Sequence, residues 1–137
     1  MKFSTRTTYG LRAMILLAEN YSKGSLSLPQ IADKENLSQG YLERLFVGLK
    51  KVCLVKSEKG KSGGYTLAKK PKNINILEIV SSLEGEINPF HCVSEDGTIN
   101  CSNKCNCGAT VVLLKVQEAI TKTLKDINLE DLLKKTK

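Results

Sequence analysis

The chain is 137 residues long, 41% hydrophobic and 5% aromatic, and 21 Lys/Arg against 14 Asp/Glu give it a net charge of +7. That length suits one small domain with an extension. The longest apolar run, Ala13–Ala18 between Arg12 and Glu19, is far too short to span a bilayer, so we read a cytoplasmic protein with no membrane partner.

The charge is unevenly placed. Residues 1–72 hold 14 Lys/Arg and 5 Asp/Glu, whereas residues 73–137 hold 7 and 9. A basic first half joined to a near-neutral second half is the pattern of a nucleic-acid-reading head with a partner region, although a solvated Lys-rich surface gives the same balance.

In chain order, Ser4–Tyr21 reads as a first helix, with Leu11, Met14 and Ala18 at helical spacing and Leu16 and Leu17 widening the apolar face. Ser27 with Gln30 three residues on forms a capping-box pattern, and Pro29 is tolerated in the first turn, which predicts a short second helix over Leu28–Glu35. Ser38 caps a third helix, Gln39–Lys51, whose apolar stripe is Leu42, Leu45, Phe46 and Leu49. Two short helices, a tight turn and a second helix with a polar first half make a helix-turn-helix pattern. Two strand-like runs follow, Leu54–Ser57 and Tyr65–Ala68. The stretch between them, Glu58–Gly64, carries Lys59, Lys61 and three glycines suited to a hairpin tip. A basic hairpin directly after a helix-turn-helix reads as a wing.

Asn75 with Glu78 caps a fourth helix, with Leu77, Val80 and Leu83 on its buried face and Gly85 at its end. A long helix then carries Val112, Leu113, Val116, Ala119, Ile120, Leu124 and Ile127, and Asn128 with Asp131 caps a last short one. The long helix bears more apolar surface than a small chain buries alone, which favours pairing with a second copy over packing wholly on the first domain. The fold class is mainly α with a small β-hairpin wing: a winged helix-turn-helix plus a long C-terminal dimerisation helix. The predicted units are 1–85 for the winged helix-turn-helix, 86–107 for a cysteine-rich sensor loop, and 108–137 for the dimerisation helix and short terminal helix.

Between these helices lies His91–Cys107, HCVSEDGTINCSNKCNC, with four of the five cysteines: Cys92, Cys101, Cys105 and Cys107. The stretch has few side chains for a core, so a metal centre or a disulfide is expected to hold it. In a reducing cytoplasm clustered thiols bind metal or sense redox state more often than they form structural disulfides. Zinc sites usually show Cys-x2-Cys knuckles and none occurs, so iron–sulfur ranks above zinc. An enzyme is not indicated. The one histidine, His91, has no evident catalytic partner, and the wing glycines precede a strand, not the helix a dinucleotide-binding loop needs.

The opening MKFSTRTTYGLRAMILLA, the helix SQGYLERLF, the wing KGKSGGYTL and the following INILEIVSSLEG closely resemble the IscR/NsrR/CymR-type family of bacterial winged-helix transcription regulators. The resemblance implies a homodimer held by the long helix, binding double-stranded palindromic operator DNA. It implies DNA-reading roles for Ser38, Gln39, Tyr41, Glu43 and Arg44 on the helix and for Lys59, Lys61 and Ser62 on the wing. In many members the loop binds an iron–sulfur cluster that tunes DNA binding; others lack the cysteines and sense by different means. Cys92, Cys101 and Cys107 match the three family cysteines, and a 2Fe–2S cluster ranks ahead of 4Fe–4S. The chain departs from the pattern in three ways. The loop between the first two cysteines is longer, and Thr110 stands where IscR-like members place a histidine. Cys53 stands where glycine is common after the recognition helix, and we read it as a small buried hydrophobe. Cys105 is the first candidate for the fourth ligand, with His91 and then Glu95 or Asp96 as alternatives. A metal-free thiol switch and a zinc-stabilised DNA binder remain alternatives to the cluster.

Overall fold

The structure is a computed structural model; it describes residues 3–60, 63–87, 90, 92–94, 96–99 and 108–133. Its order is α1 (Thr5–Glu19), α2 (Leu28–Glu35), α3 (Gln39–Lys51), β1 (Val55–Glu58), β2 (Gly64–Leu67), α4 (Ile76–Glu84), α5 (Thr110–Asp126) and α6 (Leu129–Leu133).

The local signals place the helix ends. The Ser27 hydroxyl accepts from the Gln30 N–H while the Gln30 side chain accepts from the Ser27 N–H, and α2 stops where Asn36 turns left-handed at φ 55°. Ser38 accepts from the Tyr41 N–H at 3.2 Å and starts α3. The inner stripe of α3, Leu42, Leu45, Phe46 and Leu49, is buried in one core with Met14, Ile31 and Ile79, so one apolar face fixes the rotation of the helix and turns the other outward.

The hairpin is antiparallel, with Val55 opposite Leu67 and Glu58 opposite Gly64. It is attached to the helices on two sides. The Phe46 and Tyr65 rings lie 4.6 Å apart at 42°, and Lys50 Nζ donates to Ser57 Oγ at 2.9 Å. Leu26 pairs with Tyr65 through two backbone hydrogen bonds of 3.0 and 2.7 Å, which extends the hairpin by one rung. Glycine is required beside that rung, because a Cβ on Gly64 would lie 2.3 Å from the Leu26 carbonyl oxygen.

Asn75 and Glu78 cap α4 reciprocally, as the spacing predicts. Its buried face is Ile76, Ile79, Val80 and Leu83, and Leu77 is only partly buried. The C-terminal segment returns to this helix's start: Ile76 N–H donates to the Ile127 carbonyl at 2.9 Å and Leu129 N–H to the Ile74 carbonyl at 3.0 Å. Leu129 is fully buried, and Ile120, Leu124, Ile127 and Leu132 pack on the same core. The inner side of α5 is therefore covered by its own chain. Its outer side is not: Val111 is 59%, Val112 61% and Val116 37% exposed.

Two expectations need correction. The cysteine-bearing stretch is not without burial. Val93 is fully buried and pairs with Ile99, and Ile87 at the root of the segment joins the core, so apolar side chains anchor the segment's first part. Cys53 is not a buried hydrophobe. It is exposed, because it follows the α3 cap residue Val52 with φ 62°, and Leu54 and Val55 take the core positions instead.

The start of α1 is held from a distance. The Glu84 carboxylate at the end of α4 accepts from the Ser4 N–H at 2.9 Å and from the Ser4 and Thr7 hydroxyls. Burial raises the Glu84 pKa, but the hydrogen bonds from Ser4 and Thr7, with Arg6 nearby, outweigh it and hold the carboxyl below its ordinary 4.5. A lowered folded pKa means stability present above the unfolded value and lost as pH falls through the folded one. Glu84→Gln should therefore destabilise by about 1 kcal/mol near pH 7, the partly exposed site weakening the effect, and denaturant titrations should show the difference shrinking as pH falls below the ordinary glutamate value.

Candidate DNA-reading surface and cysteine segment

The first half of α3 is fixed by side chains that the helix pattern alone does not reveal. Tyr9 of α1 meets Tyr41 edge-on, with centroids 6.0 Å apart at 88°. Arg12 lies 5.8 Å from the Tyr9 ring and pairs with Glu35 of α2 at 2.7 Å, while Arg44 lies 5.8 Å from the Tyr41 ring. Each such contact is weak, about 0.5–1.5 kcal/mol. Together they tie α1, α2 and α3 into one face. Tyr9 and Arg12 escaped the sequence reading because pairing across helices leaves no periodic trace. The signal available was an aromatic beside a cation on the polar side of an amphipathic helix.

Of the residues expected to read DNA, Ser38, Gln39, Glu43 and Arg44 are exposed on one end of α3, and Lys59 is exposed on the wing. Ser38 spends its hydroxyl on the helix cap, so within the chain it is a positioning residue. Tyr41 is half-buried in the aromatic pair and acts the same way. Lys61 and Ser62 lie outside the described residues.

The cysteine segment is described at its first part. Cys92 is a free, partly exposed thiol beside buried Val93. A tight turn follows: Ser94 N–H donates to the Thr98 carbonyl at 2.8 Å, and Thr98 N–H to Asp96 Oδ1 at 2.9 Å. Hydrogen bonds from the Thr98 side chain and backbone keep the Asp96 carboxyl below its usual range. Asp96 thus closes its own turn, which weakens it as a ligand candidate. His91, Glu95, Cys101, Cys105 and Cys107 lie outside the described residues, and among the described ones no cluster of three metal-ligating side chains occurs. The segment is coupled to α5 by Gln117, which is 3% exposed and donates from Nε2 to the Ile87 carbonyl at 2.8 Å.

A helix-turn-helix followed at once by an anchored two-stranded hairpin defines the winged-helix class of DNA-binding proteins. The Rrf2 family profile, described as an iron-dependent transcriptional regulator, matches residues 3–135, and this chain belongs to the Rrf2 family. CymR of Bacillus subtilis (strain 168) is 36% identical over 132 residues, covering 96% of this chain and 89% of that protein. The solved structure of CymR, described as the global cysteine regulator of B. subtilis, aligns with a TM-score of 0.81 at 37% identity, covering 100% of this chain and 99% of that one. T. potens IscR aligns at 0.77 and 36% identity, covering 100% and 89%. An IscR of Xenorhabdus nematophila is 30% identical over 134 residues, 98% of this chain and 80% of that protein. The protein is a transcriptional regulator, not an enzyme.

The position after the recognition helix yields a test independent of any ligand. A non-glycine residue held left-handed costs about 1–2 kcal/mol, partly offset in glycine by its freer unfolded chain. Cys53→Gly should raise the unfolding free energy by about 0.5–1 kcal/mol in urea titrations.

Proposed function

We propose that this protein is a homodimeric, cytoplasmic DNA-binding regulator whose cysteine segment holds an iron–sulfur cluster, 2Fe–2S ahead of 4Fe–4S, that modulates operator binding. The observation that carries this reading is one of connection. The cysteine segment leaves the reading head at Ile87, and Gln117 of α5 holds that same carbonyl. A change in the segment therefore bears at once on the head and on the helix whose outer face carries Val112, Val116 and Ala119. Glu43 and Arg44 would read base edges, while Lys59, Lys61 and Ser62 would approach the backbone or minor groove. Gln39 at the helix start would reach either, and Ser38 and Tyr41 would hold the helix in register.

The donors present fit a cluster by their chemistry: Cys92 is unpaired and partly accessible, and thiolates are the usual iron–sulfur ligands. Cys92, Cys101 and Cys107 would hold it, with Cys105 as the first candidate for the fourth position and His91 as the second. When bound, the cluster would supply a centre sensitive to oxidation, nitric oxide and iron supply. The protein's part is to root that segment through Val93, Ile87 and Gln117. A second reading, a metal-free thiol switch, is favoured by the similarity to CymR, a cysteine regulator.

Anaerobic purification with iron and sulfide analysis and visible absorption separates the two. Brown protein that loses iron in Cys92→Ser, Cys101→Ser and Cys107→Ser supports the cluster, and Cys105→Ser against His91→Ala then assigns the fourth ligand. Colourless, iron-free protein whose operator binding responds to oxidant alone supports the thiol switch.

Assembly is tested separately. Val112→Asp with Val116→Asp places two charges on the outer face of α5, each costing several kcal/mol if that face is buried between copies. Sedimentation should then give monomer, with operator affinity reduced at least about 100-fold. Wild type that is already monomeric at micromolar concentration would remove the dimer from the proposal.

A further inference from the structure

The outward face of α3 carries two exposed residues, Val47 and Gly40, that take no part in the packing of the chain. Val47 is 66% exposed, and it stands four residues after Glu43 and three after Arg44, on the same face and one turn further along. A scattered exposed valine ordinarily needs no explanation. This one lies on the solvent-facing side of a basic recognition helix, between the two side chains best placed for base edges. Gly40 lies seven residues earlier on the same line and is also exposed. Gly40 stands in the first turn of α3, where glycine is still a poorer helix former than alanine, and nothing in the chain calls for it: a Cβ built on Gly40 meets no atom within 4 Å. Its φ is not in the left-handed range. The fold therefore supplies no reason for a missing side chain at this point. Close approach of the helix to something outside the chain supplies one.

We propose that Gly40 and Val47 form a specificity line along α3, Gly40 letting the helix backbone lie close to the bases and Val47 meeting the C5-methyl group of a thymine in each half-site. The inference rests on the DNA-reading function proposed above and adds what that function reads. The major groove displays one apolar group, the thymine methyl, and an apolar β-branched side chain in the groove is the natural match for it. Glu43 and Arg44 flank the line and would discriminate by hydrogen bonding. Lys51, exposed one turn beyond Val47, would continue the face toward phosphate.

The test uses the full-length protein and a duplex selected by it from a random-sequence pool. Each thymine is replaced in turn by deoxyuridine, which removes the methyl and leaves every hydrogen bond in place. In wild type, one position per half-site should lose about threefold to tenfold in affinity, the scale of one or two buried methyl contacts. That loss should vanish in Val47→Ala and persist in part in Val47→Thr, which keeps a methyl. Equal deoxyuridine effects in wild type and Val47→Ala at every position would overturn the contact. Gly40→Ala gives a second, opposed pair of readings. Its thermal midpoint should hold or rise by about 1–3 °C, as befits a first-turn position, while operator affinity falls tenfold or more. Unchanged affinity in Gly40→Ala would overturn the close approach. A wild-type protein that selects no duplex at all would instead overturn the DNA-reading function, and this inference with it.

Discussion

Phe46 against Tyr65 is the contact on which the reading head depends. It is made by the inner stripe of α3, so the burial that fixes the helix's rotation also fixes the hairpin beside it. An isolated two-stranded hairpin is marginal in water. Here it is stable as a projection because Val55 and Leu67 enter the core, Tyr65 pairs with Leu26, and Lys50 reaches Ser57. Helix and hairpin base are thus joined by ring, hydrogen-bond and core contacts, which is what a wing needs if it is to meet DNA at a set distance from the helix.

The second organising feature is the return of the C-terminal segment. Asn128 faces Asn75, and Ile74, Ile76, Ile127 and Leu129 exchange backbone hydrogen bonds, so the far end of α5 is stitched to the start of α4. Gln117 holds the root of the cysteine segment near the middle of the same helix. The long helix is therefore anchored along its inner side by the chain itself, leaving an outer face of valines. In the proposed dimer, an element clamped on one side and apolar on the other would meet the second copy through that outer face.

Aromatic and cationic side chains on the polar faces of α1 and α3 give the reading surface its order. Arg12 is held between Glu35 and Tyr9, and Tyr41 sits between Tyr9 and Arg44. These contacts keep Arg44 presented on a defined side of α3 at the cost of making Tyr41 a support. The exposed thiol of Cys53 follows from the same helix: the chain must reverse after Val52 to bring Leu54 into the core, and the reversal is left-handed.

Much of this molecule was legible in its residues because its local signals agree. Ser27, Ser38, Asn75 and Asn128 each begin a helix by accepting a backbone N–H, a bond that needs only residues three apart. The 3.6-residue stripe of α3, the glycine-rich hairpin tip and the charge excess of the first half are likewise properties of short stretches. What depended on distant residues was decided by the tertiary structure. Glu84 clasping Ser4 and Thr7, Tyr9 meeting Tyr41, and Gln117 finding the Ile87 carbonyl join positions with no fixed sequence spacing. The same holds for Val93, which has no apolar stripe around it yet is fully buried, and for Cys53, an apolar-seeming residue that a left-handed turn leaves in solvent. Capping and periodicity are written in a few neighbouring residues, whereas burial and cross-helix pairing exist only once the chain has brought remote side chains together.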